Sequence, residues 1–190
     1  MTILSWINSI KEYKPFNEQE YKDKEIILKS IDIFDEILTR NNEIAHLTSS
    51  TFVVNKTRDK VLMVHHNIYN TWSWMGGHND GDSDFFNVAM KELEEETGVK
   101  NATIIGDGIF SLDVLDVKSH IKNGKYVAPH LHLSIAYLME ADENESLSIK
   151  EDENSGVMWI PINKLNEYVK NEPHMLKLYN KFIEKANIYK

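Results

Sequence analysis

Apolar positions at the start of the chain recur with the period of a helix. Ile3, Ile7 and Ile10, with Trp6 and Tyr13 beside them, predict a short amphipathic helix that stops before Pro15. A second helix is expected after Asn17, where Glu20 completes a capping-box-like spacing. It carries Ile27, Ile31, Phe34 and Leu38 on one stripe and ends near Asn41-Asn42. Stripes of this kind usually face a core, although a lid or a dimer interface is also open to them.

From His46 the texture changes to that of strands. Thr48–Asn55 and Lys60–His66 are β-branched and apolar, with the polar run Lys56-Thr57-Arg58-Asp59 between them, which predicts a hairpin. Thr71–Met75 follows as a short strand, which Gly76-Gly77 is expected to break with a sharp turn. A helix is expected over residues 84–97, then strands at Ala102–Ile109, Leu112–Val117, Leu131–Leu138 and Gly156–Ile160. Two further helices, from about Pro161 to Val169 and from about Pro173 to Ala186, follow; the last carries Met175, Leu176, Tyr179 and Phe182 on one face. The mixture points to a layered α and β domain without internal repeats.

Composition narrows the function. At 190 residues the chain suits one domain with an extension, and 42% hydrophobic with 27% charged residues describes an ordinary globular protein. The net charge of -9 gives no sign of a nucleic-acid surface built on clustered lysine and arginine. Arginine occurs only at 40 and 58, so an anionic substrate must rely on lysines or bound cations. Cysteine is absent, which removes disulfides, thiolate metal sites and thiol nucleophiles and fits a reducing cytoplasm. The first ten residues lack a basic stretch and an unbroken apolar run, so no signal peptide or membrane span is expected.

The chemistry concentrates at residues 76–99. A polar, glycine-rich loop, Gly76 to Ser83, runs into a helix that Ser83 or Asp84 can cap and Gly98 can end. On it Glu92, Glu95 and Glu96 stand at i, i+3 and i+4, so their carboxylates share a face. Alone, that spacing describes a solvated acidic face as well as a metal site. Asp80, Asp82 and Asp84 suggest a calcium loop, but Phe85 and Lys91 stand where that motif needs glycine and glutamate.

This stretch resembles the Nudix signature. Gly77, Glu92, Leu93, Glu95, Glu96, Gly98 and Val99 fall in register; Ser83 replaces the family's glutamate and Lys91 its arginine. The likeness extends through the strands at 48–66, Trp74, Met75, and Gly156–Pro161, and His46, His65, His66 and His78 resemble a subgroup of the family. It implies an α+β fold, an α/β/α sandwich with a mixed sheet, in a Nudix hydrolase-like domain at 45–186 behind an N-terminal helical extension at 1–44.

The resemblance also implies a hydrolase of a diphosphate linkage, in a nucleoside diphosphate joined to another group, that uses Mg²⁺ or alternatively Mn²⁺. Glu92, Glu95 and Glu96 would be the metal ligands, with a backbone carbonyl of Gly76 or Gly77. Such ions relieve the charge that builds on phosphoryl oxygens as water attacks. Glu95 and Glu96 thereby enter the catalytic set, and Glu153, ahead of Glu151, is the candidate general base, against the alternative of an ordinary polar loop. His130 and His132, on one strand face, are candidates for contacting the substrate, and so is Trp74; structural and packing roles compete for all three. A transition-metal site drawing on His65, His66 or His78 is the less favoured reading of the histidines. The expected partner is a small-molecule diphosphate, with a homodimer through the N-terminal helices an open alternative. With Ser83 and Lys91 departing from the box, a catalytically weak module that senses a nucleotide or metabolite is the competing function.

Overall fold

The structure is a computed structural model that describes residues 3–122 and 124–189, with Ile3 and Leu4 known by their backbone alone. In chain order the elements are α1 (Ile3–Glu12), α2 (Glu18–Ile33), β1 (Ala45–Asn55), β2 (Lys60–His66), β3 (Thr71–Ser73), β4 (Met75–His78) and α3 (Phe85–Thr97). There follow β5 (Thr103–Ile104), β6 (Ser111–Val117), β7 (His120–Lys122), β8 (Lys125–Val127), β9 (His130–Ala141), β10 (Asn154–Pro161), α4 (Leu165–Tyr168) and α5 (Pro173–Ala186). The fold is α+β with a mixed sheet, as the resemblance implies. No helix of the described residues is long and apolar enough to cross a membrane.

Two compact units divide the chain. Among the described residues, the first comprises 3–49, 77–88, 109–122 and 124–136; the second comprises 50–76, 89–108 and 137–189.

In the first unit, β6 lies antiparallel to the first part of β9, with Ser111 opposite Ala136 and Val117 opposite His130. The helices α1 and α2 are fixed here by chemistry as well as by apolar burial. Asn17 caps α2 by accepting the Glu20 N–H at 2.9 Å. The Glu20 side chain is fully buried and accepts from Ser111 Oγ at 2.8 Å, from the Phe16 N–H at 2.8 Å and from the Tyr13 hydroxyl. Trp6 packs edge-on against Phe85 with ring centroids 5.6 Å apart, and Ile10 and Ile27 are buried nearby in the same unit. The stripe position at Ile3 has its side chain outside the described residues. The second helix ends at Ile33, earlier than expected, and Phe34 is its extended C-cap. Ile37, in the turns that follow, is buried, whereas Leu38 is only half-buried.

In the second unit, β2 is the hub. It pairs antiparallel with β10, from Lys60 opposite Pro161 to His66 opposite Asn154, and with β3 through Val64 and Ser73. Val54 opposite Val61 closes the expected hairpin with β1, and Thr103 opposite Glu140 joins β5 to β9. Val61–Val64 are fully buried, and Phe52 stacks on Tyr179 and meets Phe182 edge-on, both on α5, which supplies the apolar face expected of that helix.

Several expectations needed correction. The strand expected at Thr71–Met75 divides at Trp74 into β3 and β4, and Gly76-Gly77 does not make the sharp turn: both lie within β4, in extended backbone, and the turn falls later, where Asp80 and Gly81 take φ of 47° and 94°. The strand expected at Ala102–Ile109 shrinks to β5, and the helix expected over Pro161–Val169 is a 3-10 turn at Ile162–Lys164 followed by α4. The hairpin β7–β8 had no apolar alternation long enough to announce it.

Candidate active site and a histidine cluster

The helix α3 has the ends expected of it. Asp84 Oδ1 accepts the Asn87 N–H at 3.1 Å, and Asp82 Oδ1 accepts the Asp84 N–H at 2.8 Å, so both aspartates shape the helix entry. Asp80 is held in a two-pronged pair by Arg40, whose Nε donates at 2.9 Å. The three aspartates of the loop are thus engaged in building it, which leaves Ser83 without a substitute carboxylate among them. At the other end Gly98 takes φ +77°, and any Cβ there would collide with the Ser148 hydroxyl.

On the exit turns of α3 the three glutamates differ sharply in surroundings. Glu96 is buried; its Oε1 accepts the Gly76 N–H at 3.0 Å and its Oε2 accepts from Asn154 Nδ2 at 3.2 Å. Burial nevertheless dominates and pushes its carboxyl up to about 7. Glu92 is half-buried and also raised, by burial first and then by the neighbouring charges of Glu95 and Glu153. Glu95 is exposed and lowered, chiefly by its hydrogen bond from Lys150.

Lys150 is the cation of this group. Its ammonium lies 3.2 Å from Glu95 Oε2 and 3.1 Å from Glu153 Oε2, while Lys91 reaches Glu95 at 3.6 Å. Partial burial opposes its charge, but the bonds to Glu153 and Glu95 outweigh this and raise it. Glu153 therefore shares a cluster with Glu92, Glu95 and Glu96. Asn154 and Lys150 were missed by sequence reasoning; only their place beside Glu153 in a polar stretch could have flagged them.

The donor set suits a hard divalent cation. It is made of carboxylate and amide oxygens, two of the carboxyls are short of compensating charge, and Asn154 Oδ1 is buried with no hydrogen-bond partner. Lys150 supplies positive charge to this acidic group.

The other expected residues lie elsewhere. Trp74 packs on the C-terminal helix, its ring centroid 5.1 Å from that of Phe182 and its backbone N–H donated to the Tyr179 hydroxyl at 3.2 Å. His130 and His132 meet in the first unit with Nε2 atoms 3.2 Å apart, and His46 and His78 join them. Ring centroids in this group stand 4.9 Å (His46–His130), 5.0 Å (His46–His78 and His78–His132) and 5.1 Å (His46–His132 and His130–His132) apart. Burial lowers His46, His132 and His78, the last to about 3, and the crowding of neighbouring rings adds to this. His65, by contrast, sits against Ser155 and Trp72 in the second unit.

Comparison with known proteins gives this geometry its context. The NUDIX domain model matches residues 45–182. An RNA pyrophosphohydrolase from Pelagibacter ubique (strain HTCC1062) is 29% identical over 103 residues, spanning 53% of this chain and 65% of that protein, just under two thirds of its length. Among solved structures, a C. elegans Ap4A hydrolase in a binary complex matches with a TM-score of 0.54 at 15% identity, over 75% of this chain and 96% of that one. A NUDIX-family hydrolase from Clostridium perfringens matches with a TM-score of 0.51 at 19% identity, over 73% and 96% of the two chains. The NUDIX domain of Shewanella oneidensis NrtR, solved with ADP ribose, matches with a TM-score of 0.51 at 15% identity, over 84% and 95%. With the signature glutamates on α3, its glycine stop in place and the domain model spanning most of the sequence, the chain belongs to the NUDIX domain family.

Proposed function

We infer that this chain hydrolyses a diphosphate linkage in a small molecule, a nucleoside diphosphate joined to another group, with the help of Mg²⁺ or Mn²⁺. The observation that carries the reading is Glu96: a buried carboxylate, aimed by the Gly76 N–H and Asn154, on the helix face that also bears Glu92 and Glu95. An acidic face on an ordinary surface helix has no reason to bury a carboxyl that its surroundings under-compensate.

In this reading Glu92, Glu95 and Glu96 hold the divalent cation, with a backbone carbonyl at Gly76 or Gly77 as a further ligand. When bound, the cation neutralises charge on the phosphoryl oxygens. Water adds to phosphorus through a new P–O bond while the bridging P–O bond breaks, and the departing phosphate keeps the electron pair. Glu153 takes the proton from that water. Lys150, paired with both Glu153 and Glu95, serves as the counter-charge of these carboxylates. Residues 1–44 are assigned as an N-terminal extension to this domain, a boundary supported by the family match beginning at 45.

A second reading rests on Ser83. Without the family's glutamate there, and with Asp82 and Asp84 engaged as backbone acceptors, a weak or inactive module that binds a nucleotide stays in contention. The structural neighbour named for its complex with ADP ribose supplies one ligand to try. A panel of nucleotide sugars, dinucleoside polyphosphates such as Ap4A, ADP-ribose and nucleoside triphosphates, incubated with Mg²⁺ or Mn²⁺, separates the two. Turnover that the Glu95→Gln, Glu96→Gln double variant loses supports the hydrolase. Nucleotide binding without turnover supports the sensor.

A further inference from the structure

We propose that His46, His78, His130 and His132 form a second metal site, distinct in its chemistry from the glutamate face, that takes a borderline transition-metal dication such as Zn²⁺. The four side chains come from β1, β4 and β9, and one ring nitrogen from each lies within 4.8 Å of all the others. Among the described residues this is the one group of three or more histidine or carboxylate side chains whose ligand atoms converge in this way.

The rings are oriented as ligands are. His46 Nδ1 lies 2.9 Å from the carbonyl oxygen of Asn42, an acceptor with no proton of its own, so a neutral His46 carries its proton on Nδ1. Its Nε2 lone pair then faces inward, buried and with no hydrogen-bond partner, on a side chain only 3% exposed. His130 repeats the arrangement, with Nδ1 2.9 Å from the Ala128 carbonyl and Nε2 turned to His132. A backbone carbonyl holding one ring nitrogen while the other faces a common centre is the usual outer support of a metal-bound imidazole. Leaving a buried acceptor such as His46 Nε2 unmet costs about 1–3 kcal/mol, and a cation at the centre of the four rings removes that cost.

Dimensions agree. Four imidazoles around a tetrahedral Zn²⁺ with Zn–N of about 2.0–2.1 Å place ligand nitrogens about 3.3 Å and ring centroids about 5.2 Å apart. The His130–His132 nitrogens are at 3.2 Å, and the five centroid separations given above run from 4.9 Å to 5.1 Å. The remaining nitrogen pairs lie within 4.8 Å of one another. The donor chemistry decides the ion: imidazole nitrogen suits Zn²⁺, Cu²⁺, Ni²⁺ or Co²⁺, whereas Mg²⁺ requires oxygen, which the α3 glutamates offer and this cluster does not.

The test is titration of the full, chelator-stripped chain with Zn²⁺ by calorimetry in excess Mg²⁺, and with Co²⁺ followed by its visible d–d absorption. The wild type should take up a single tight equivalent and give the intense bands of a tetrahedral nitrogen-ligated Co²⁺. The Glu95→Gln, Glu96→Gln variant should match it, as should His65→Gln. His132→Gln and His130→Gln should each weaken Zn²⁺ binding by roughly 100-fold or more. Because the wild-type Co²⁺ spectrum reads the ligand set directly, the test stands even where a histidine variant folds poorly. Weak octahedral bands, no tight uptake, equal affinity in folded histidine variants, or loss of the site in the glutamate variant would each overturn the proposal.

Discussion

At the scale of single residues, the site is governed by how positive charge is shared among four carboxylates. Lys150 bonds to Glu95 and Glu153, and its charge bears on Glu92, so in the absence of a bound ion it acts as the counter-charge. Removing it should leave the glutamates freer to take a divalent cation. Because these pairs are partly exposed, the effect is modest: Lys150→Met should tighten Mg²⁺ binding by about two- to fivefold, read by calorimetry. Weaker binding would instead make Lys150 a support for the ligands. Glu96→Gln acts in the opposite sense, since it keeps the shape of a buried side chain but removes its charge. It should lower kcat on the turned-over substrate by at least about 100-fold while leaving the thermal melt near that of the wild type. An activity within threefold of wild type, about 0.6 kcal/mol in barrier, would remove Glu96 from the metal set.

Elements were legible where local chemistry decides them and illegible where contacts distant in the chain do. The ends of α3 follow from Asp84 and Gly98, and the cap of α2 from Asn17, all readable in sequence. The extended course of Gly76-Gly77 was not readable, because glycines that permit a turn do not require one and strand pairing held them straight. Nor was the Glu20–Ser111 bond, which joins side chains far apart in sequence. The glutamate set could be named from spacing and resemblance, but its counter-ion Lys150 and its buried partner Asn154 could not. The convergence of the four histidines, drawn from three strands, is likewise a product of the fold. Two stability predictions belong here. Glu20→Ala removes the carboxylate that accepts from the Phe16 N–H and from the Ser111 and Tyr13 hydroxyls, which keep Asp113 and the Phe110 carbonyl as acceptors, and should cost about 1–3 kcal/mol in urea unfolding; a loss under 0.5 kcal/mol would show that water replaces the carboxylate freely. Gly98→Ala forces a side chain into φ +77° and against Ser148, and should cost about 1–3 kcal/mol in the same measurement.

For the whole molecule, the N-terminal segment is an integral layer of the first unit, since Trp6, Ile10, Ile27 and Glu20 are buried there. Deleting residues 1–44 should therefore abolish cooperative unfolding, and a truncated chain that still melted cooperatively near the full-length temperature would restore the picture of a detachable lid or dimer arm. The central claim is that the α3 glutamates serve water attack on a phosphoric anhydride. Its most direct test is to run the panel in heavy-oxygen water with Mg²⁺ or Mn²⁺ and weigh the phosphate products by mass spectrometry. The wild type should place one solvent oxygen in a product phosphate, only when the divalent ion is present, and the Glu95→Gln, Glu96→Gln variant should not. No labelled product from any substrate, or equal labelling in the variant, would contradict the account.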